Sequence, residues 1–176
     1  MGSTHGRQVA LLFWKKEAKN FCDFGWERVL VDIRAATIDD VGAIAAVDRA
    51  ARSLALPSVR WAHGWDEVPG WIGGVLIPRG GVFVAELDRR IVGYMALHEG
   101  WIDALYLHPD VWRSGIGTAF VAHAKTLRPT GLQLWCFQVN ARARAFYLRQ
   151  GFVVAELTDG AGNEELEPDI RFVWAG

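Results

Sequence analysis

The chain has little cysteine and no excess of either charge. Its 176 residues include only Cys22 and Cys136, which lie too far apart for a metal-binding knuckle and are too few for a disulfide framework. With 19 Lys and Arg against 20 Asp and Glu, the formal net charge is −1. A near-neutral chain without a basic stripe disfavours nucleic-acid binding and a polybasic contact with a membrane surface.

Long apolar runs are also lacking. The longest one near the start, Val9 to Trp14, has six residues and ends at two lysines, Lys15 and Lys16. That length is too short for a signal-peptide core or a membrane span. Together with the low cysteine content, it leads us to expect a soluble, cytoplasmic protein.

What is present is a composition typical of one globular domain, 51% hydrophobic and 22% charged. No internal repeat or Gly/Ser/Pro-rich linker divides the chain. The sequence therefore predicts a single domain over residues 29–176. Residues 1–28 are predicted to be an N-terminal extension of unclear role, in which Val9 to Trp14 is either a strand or part of a short helix.

Residues 29–107 predict one helix and several strands. Val29 to Arg34 is rich in β-forming residues, and Thr37 is a candidate N-cap for a helix that ends before Pro57. The helix carries an apolar stripe at roughly helical spacing: Val41, Ile44, Ala45, Val47 and Leu54. Three apolar segments at hairpin spacing then predict antiparallel strands in series: Gly81–Leu87, Arg90–Leu97 and Trp101–Leu107.

Residues 109–176 alternate helices and strands. An amphipathic stripe predicts a helix from Ile116 to Leu127, and Asn140 is a candidate cap for a second helix that stops at Gly151. The remaining apolar segments predict strands, the last of which is expected to close the sheet: Leu132–Val139, Phe152–Leu157 and Ile170–Trp174. The fold class is therefore mixed α/β (α+β) around one sheet.

A glycine-containing turn joins the third antiparallel strand to the Ile116 helix. Its residues read Trp112-Arg113-Ser114-Gly115-Ile116-Gly117-Thr118. Backbone N–H groups at such a turn and the positive end of the helix suit a pyrophosphate, although the same glycines can serve simple packing. A Walker phosphate loop is excluded, because no Gly-Lys-Ser/Thr follows.

A second segment, Asn140-Ala141-Arg142-Ala143-Arg144-Ala145-Phe146-Tyr147, leads into Gly151-Phe152. In spacing and order, the two segments together resemble the GNAT superfamily of acetyl-CoA-dependent N-acetyltransferases. The first is similar to that superfamily's pyrophosphate loop, except that Trp112 stands at the usual Gln or Arg position. The second is similar to its Asn-x-x-Ala-x-x-Phe-Tyr helix. The resemblance spans roughly Val29 to Trp174.

The resemblance implies a GNAT-like fold with acetyl-CoA as cosubstrate and no metal. The central, mostly antiparallel sheet would be splayed between its fourth and fifth strands, opening a slot for the pantetheine arm. Asn140 would contact CoA, cap its helix, or do both in turn. The implied CoA-binding residues are Leu105, Tyr106, Leu107, Arg113, Ser114, Gly115, Ile116, Gly117, Thr118, Asn140, Ala143 and Phe146.

Amine acetylation needs a base for the ammonium proton and benefits from an acid for the leaving thiolate. Tyr147 matches the family's usual acid, the alternative being an ordinary half-buried aromatic residue. Asp103 is the preferred base and, as a strand residue, is expected to point to the same side as Trp101 and Leu105. His98, Glu99, His108 and a water chain are the alternatives.

Acidic and aromatic residues are expected at the mouth of the slot, where the amine would be recognised. The candidate acceptor-binding residues are Trp61, Trp65, Asp66, Glu67, Glu164 and Glu165. The alternative for each is a tryptophan packed in the core, Trp71 included, or an acid on a solvated hairpin tip.

The leading hypothesis is transfer of acetyl from acetyl-CoA to a primary amine by direct attack in a ternary complex. The preferred acceptor is a small cationic molecule such as a polyamine, an amino sugar or an antibiotic amine. Acetylation of protein N-termini or lysines, and a non-catalytic acyl-CoA-binding module, are the alternatives. Neither nucleic acid nor membrane is expected as a partner, and homodimer formation is left open.

Overall fold

The computed structural model describes residues 20–24 and 27–176, with side chains from Val31 onward. The prediction for Val9 to Trp14 lies outside the described residues, so it stays a prediction, as does the domain boundary at residue 28. A hairpin of β1 (Asn20–Phe24) and β2 (Glu27–Ala35) spans that boundary.

Helix α1 (Val41–Ala55) follows a 3₁₀ turn (Ile38–Asp40) that is capped as predicted from Thr37. The Thr37 backbone N–H donates to Asp40 Oδ2 at 2.7 Å, which completes a capping box. The buried positions of α1 are Ile44, Val47, Asp48 and Ala51. Leu54, which was expected in the apolar stripe, is 60% exposed, because the buried face turns away before the last turn of the helix.

A helical segment lies between α1 and the first of the predicted antiparallel strands. It consists of α2 (Val68–Trp71), a π-helical turn (Ile72–Leu76) and α3 (Ile77–Arg79). Ile72 and Leu76 are buried in a hydrophobic cluster with Ile44, Val47 and Val84, which lies between these helices and one face of the sheet.

The three predicted antiparallel strands are confirmed as β3 (Val82–Leu87), β4 (Arg90–His98) and β5 (Trp101–Leu107). Asp88 and Arg89 join the first two with φ of 49° and 61°, the left-handed pair that a tight hairpin requires.

The second half of the chain comprises helix α4 (Ile116–Leu127), β6 (Leu132–Phe137), helix α5 (Ala141–Arg149), β7 (Val153–Leu157) and β8 (Asp169–Trp174). The described strands form one sheet in the order β1-β2-β3-β4-β5-β6-β8-β7. The expectation that Ile170–Trp174 closes the sheet is wrong. The long connection after β7 returns β8 to pair with both β6 and β7, which leaves β7 at the edge.

Strands β5 and β6 are the only parallel neighbours in the described sheet, and they pair at one register position, Trp101 opposite Gln133. Beyond that pair the two strands separate. They are the fourth and fifth strands counted from Val29, so the predicted splay is confirmed. A second hydrophobic cluster, centred on Phe120, Leu134 and Phe172, packs the other face of the sheet.

Candidate active site

Two adjoining cavities open where β5 and β6 diverge. The helix-side cavity, about 700 Å³, is bounded mainly by β5, the start of α4 and α5. The loop-side cavity, about 670 Å³, is bounded by β5, β6, the end of α1 and the connection from β7 to β8. Both volumes lie in the range of small-molecule sites. The residues shared by the two are Leu105, Tyr106, Asn140, Ala143 and Tyr147.

The glycine turn forms one wall of the helix-side cavity. Arg113 and Gly115 adopt left-handed backbone conformations, with φ of 67° and 94°, and Gly115 caps α4. The first N–H groups of a helix have no intrahelical acceptors and carry a partial positive charge. This wall therefore offers backbone donors to an anion. Ser114 and Ile116, which were also predicted to bind CoA, are buried and do not line this cavity.

Gly117 permits the close approach of α4 and α5. A Cβ atom there would lie 3.3 Å from Cζ of Phe146, so that ring would have to shift by a few tenths of an ångström, and 3.5 Å from Cδ1 of Leu107, an ordinary contact. Phe146 and Gly117 both line the helix-side cavity. The glycine thus favours this packing and leaves the backbone accessible.

Trp112 stands at the position where the resembled family usually has Gln or Arg, and its side chain contacts other residues of this chain. Its indole Nε1 donates to the Leu107 carbonyl oxygen at 2.9 Å. The guanidinium carbon of Arg142 lies 4.0 Å from the centre of its ring, the geometry of a cation–π contact. Arg142 lines the helix-side cavity, so this wall does carry a cation. The sequence does not predict Arg142 at this site, because only the fold brings Arg142 onto Trp112.

Tyr147 lies on α5 at the junction of the two cavities and is 7% exposed. Its ring packs at steep angles against Phe146 and Phe152, with centroids 5.1 and 5.7 Å away. Burial raises the pKa of Tyr147 well above its usual value, so the phenol holds its proton at neutral pH. Tyr147 is thus a protonated phenol that lines both cavities.

Asn140 lines both cavities and caps α5, since its side-chain oxygen accepts from the Ala143 N–H at 3.1 Å. The arrangement is compatible with both predicted roles of Asn140.

Asp103 lines the loop-side cavity at a β-bulge. Ala104 pairs with Ala96 of β4, and Ile102 pairs with the next residue of β4, Leu97. Asp103 therefore has no partner in β4 and is the extra residue of the bulge. A bulge interrupts the alternation of side chains, so the expectation that Asp103 points to the same side as Leu105 is wrong. Its carboxylate lies 3.8 Å from Arg79 on α3, whereas Leu105 packs in the cluster on the opposite face.

The pKa of Asp103 is raised by burial, and the nearby charges of Arg79 and His98 oppose that rise. The alternative bases, His98, Glu99 and His108, line neither cavity. His98 accepts from Arg79 at 2.8 Å, and His108 accepts from the Asp110 backbone N–H at 3.4 Å.

The predicted acceptor residues separate into two groups. Trp61 and Glu165 line the loop-side cavity, whereas Trp65 packs against the cluster around Ile44. Asp66, Glu67 and Glu164 do not line the cavity either. Instead, the exposed His63 ring bridges Glu67 and Glu164, each at 3.2 Å, and this contact raises the pKa of His63.

The loop-side cavity also contains Arg52 and Cys136, neither of which was predicted as a site residue. Burial raises the pKa of Cys136 to about 12, so its thiol is not ionised near neutral pH and is a poor nucleophile. Among the residues whose side chains are described, no group of three or more His, Cys, Asp or Glu is placed to hold a metal ion. No helix among the described residues is long and apolar enough to cross a membrane.

Comparison with known proteins agrees with this architecture. Residues 78–154 match the family described as acetyltransferase (GNAT) domain. Peptidyl-lysine N-acetyltransferase YjaB of Salmonella typhimurium is 40% identical over 79 residues, 44% of this chain and 54% of the relative. YjaB of Escherichia coli is 35% identical over the same length, 53% of that protein. The matched segment thus spans about half the length of these curated relatives.

Solved structures show the same fold over more of the chain. The solution structure of apo YjaB from Escherichia coli superposes with a TM-score of 0.70 at 23% identity, covering 83% of this chain and 98% of that one. PaiA N-acetyltransferase from Thermoplasma acidophilum, in complex with coenzyme A, gives a TM-score of 0.65 at 18% identity, covering 83% and 99%. Residues 78–154 thus match the GNAT acetyltransferase domain that the sequence predicted, and the described chain shares the fold of these solved structures.

Proposed function

We propose that this protein transfers an acetyl group from acetyl-CoA to a primary amine. The observation that carries the proposal is the placement of Tyr147 at the junction of the two cavities, one with backbone donors at the start of α4 and one lined by carboxylates. The helix-side cavity suits a pyrophosphate and its pantetheine arm. The loop-side cavity suits the amine.

The residues support direct transfer between two bound substrates. The neutral amine nitrogen forms a bond to the thioester carbonyl carbon, the carbon–sulfur bond breaks, and the departing thiolate takes the proton of Tyr147. The proton that the new amide nitrogen loses returns to the Tyr147 oxygen. The ammonium proton of the amine passes to a base, for which Asp103 is the candidate within the cavity. The un-ionised thiol of Cys136 argues against an acyl-cysteine intermediate.

A small cationic amine is the acceptor that the charges favour. Asp103 and Glu165 both line the loop-side cavity, and carboxylates in a partly enclosed site attract an ammonium group. Lysine in a peptide is the second candidate acceptor, because the YjaB relatives are named peptidyl-lysine N-acetyltransferases. Both acceptors present a primary alkyl ammonium group to the site.

The test follows free thiol release from acetyl-CoA with polyamines, aminoglycosides, amino acids and lysine peptides. Activity with at least one amine, and its loss in Tyr147→Phe, is the expected result. Free amines and peptides compared at equal concentration separate the two acceptor classes. Tight CoA binding without turnover of any amine would replace the proposal with a non-catalytic acyl-CoA-binding role.

A further inference from the structure

Helix α1 places one arginine in the loop-side cavity. Arg52 lines that cavity with its side chain 20% exposed, which leaves part of the guanidinium accessible. The guanidinium carbon lies 4.2 Å from the centre of the Trp61 ring and 5.3 Å from that of Tyr106. Contact with two aromatic rings fixes the plane of the group and reduces the entropy lost when it binds a ligand.

A buried carboxylate, Asp48, forms an ion pair with the Arg52 guanidinium. Asp48, which is 1% exposed, approaches Arg52 through Oδ2 to Nε at 3.1 Å, and its Oδ1 accepts from the Tyr94 hydroxyl at 2.6 Å. The contact lies on the Nε side and is an ion pair without a hydrogen bond. A guanidinium carries four further N–H donors on its terminal nitrogens, and such donors can bind a carboxylate.

The other charged residues that line this cavity are acidic: Asp103, Glu156, Glu165 and Asp169. Three of these have partners within the chain. Glu156 accepts from Arg171 at 2.9 Å, Asp169 accepts from Thr158 and Asn163, and Asp103 lies 3.8 Å from Arg79. The cavity therefore presents one anchored cation, Arg52, together with the carboxylate of Glu165 and the more loosely paired carboxylate of Asp103. Such a site complements a molecule that carries both charges.

We infer that the acceptor is zwitterionic, with a carboxylate that binds Arg52 and an amine that is acetylated. The inference rests on the proposed acetyl transfer and narrows its acceptor to amines of the amino-acid type. The carboxylate belongs either to a free amino acid or to a short peptide, and the two sources are separated in the test below.

The experiment compares acceptors that differ in one carboxylate, using the full-length chain and acetyl-CoA. The pairs are lysine with cadaverine, ornithine with putrescine, and an alanyl-lysine dipeptide as free acid with its amide. We expect kcat/KM to be about 10- to 100-fold higher for the carboxylate member, as typical of a hydrogen-bonded charge pair. A preference in the first two pairs alone indicates a free amino acid, whereas one confined to the dipeptide indicates a peptide.

Arg52→Met is expected to bring the ratio within each pair close to one, and Arg52→Lys is expected to retain part of it. Arg49→Met is the matched control, because Arg49 lies on the same helix but contacts Trp65 outside the cavity, and it should keep the ratio. Thermal unfolding and CoA binding are measured for each variant. If Arg52→Met does not fold, Arg52→Lys decides: a ratio reduced from the native value supports the inference, and an unchanged ratio overturns it.

Equal kcat/KM within every pair of the native protein, or a preference that survives both Arg52 variants, would overturn the inference while leaving the proposed acetyl transfer in place. If CoA binds and no amine reacts, the proposed function and the inference fail together.

Discussion

The two cavities that meet at Tyr147 are assembled in different ways. All but two of the residues that line the helix-side cavity lie between Leu105 and Gln150, in a single run of strand, turn and two helices. The loop-side cavity collects its lining from α1, the connection after α1, β5, β6, α5 and the connection from β7 to β8. A site built from one continuous segment leaves a motif in the sequence, whereas a site built from distant segments does not.

The largest effect is expected at the junction. Tyr147→Phe keeps the ring packed against Phe146 and Phe152 but removes the proton donor, so kcat should fall by about 10²- to 10⁴-fold. The KM for acetyl-CoA should change by less than about threefold, since the packing is preserved. Steady-state thiol release measures both constants. A kcat within about threefold of native would assign the acid role elsewhere.

The second prediction concerns the stability of helix α1, which carries Arg52, and the Arg34–Asp40 ion pair at its start. Hydrogen bonds from Arg34, at 2.8 and 2.9 Å, lower the pKa of Asp40 to about 2. Because the folded pKa lies below the unfolded value, the stabilisation is present above about pH 4 and is lost as the pH falls through 2. With Arg34 one-third exposed, Asp40→Asn should cost about 1–2 kcal/mol at pH 7.

Urea unfolding of native and Asp40→Asn protein between pH 2 and 7 measures this loss. The two curves should converge towards pH 2. Asp39→Asn is the control, because Asp39 is exposed and lies one residue away, and its free energy of unfolding should stay within about 0.5 kcal/mol of native. A constant difference between native and Asp40→Asn across the whole pH range would contradict the ion pair as its cause.

A change confined to the helix-side cavity should affect acetyl-CoA alone. Arg142→Met removes the cation held on Trp112, and we expect about a tenfold rise in the KM for acetyl-CoA, as for one charge-assisted contact with phosphate. The amine KM should change less than about twofold. Arg144→Met is the control, since Arg144 lies on the same helix and does not line the cavity. An equal rise in both KM values would show that the two cavities are not independent.

The smallest expected effect is a change in the amine KM that distinguishes two neighbouring acids, Glu164 and Glu165. Glu165 lines the loop-side cavity, whereas Glu164 contacts His63 on the surface. Glu165→Gln should raise the amine KM about three- to fivefold, the scale of a partly screened charge contact. Glu164→Gln should leave it within about 1.5-fold, because a surface ion pair contributes little. Equal effects of the two substitutions would remove Glu165 from the acceptor site.

Most of the helices and strands could be predicted from the sequence, because they depend on residues that are close together in the chain. The hairpin at Asp88 and Arg89, the capped helix from Thr37 and the glycine turn at Gly115 are each set by neighbours in the chain. The position of β8 between β6 and β7 could not be predicted from the sequence, since it depends on pairing partners that no local pattern specifies. The bulge at Asp103 could not be predicted either, because it exists only in the register of β5 against β4.

The candidate site divides along the same line. The glycine turn and the helix that carries Asn140 and Tyr147 could be predicted from the sequence alone, and they carry the resemblance to the GNAT superfamily. The contact of Arg142 with Trp112, and the position of Arg52 beside Trp61, Tyr106 and Asp48, come from the packing of segments distant in the chain. The reason is physical: backbone conformation depends on residues a few positions apart. The charge that an acceptor meets depends on side chains that only packing brings together.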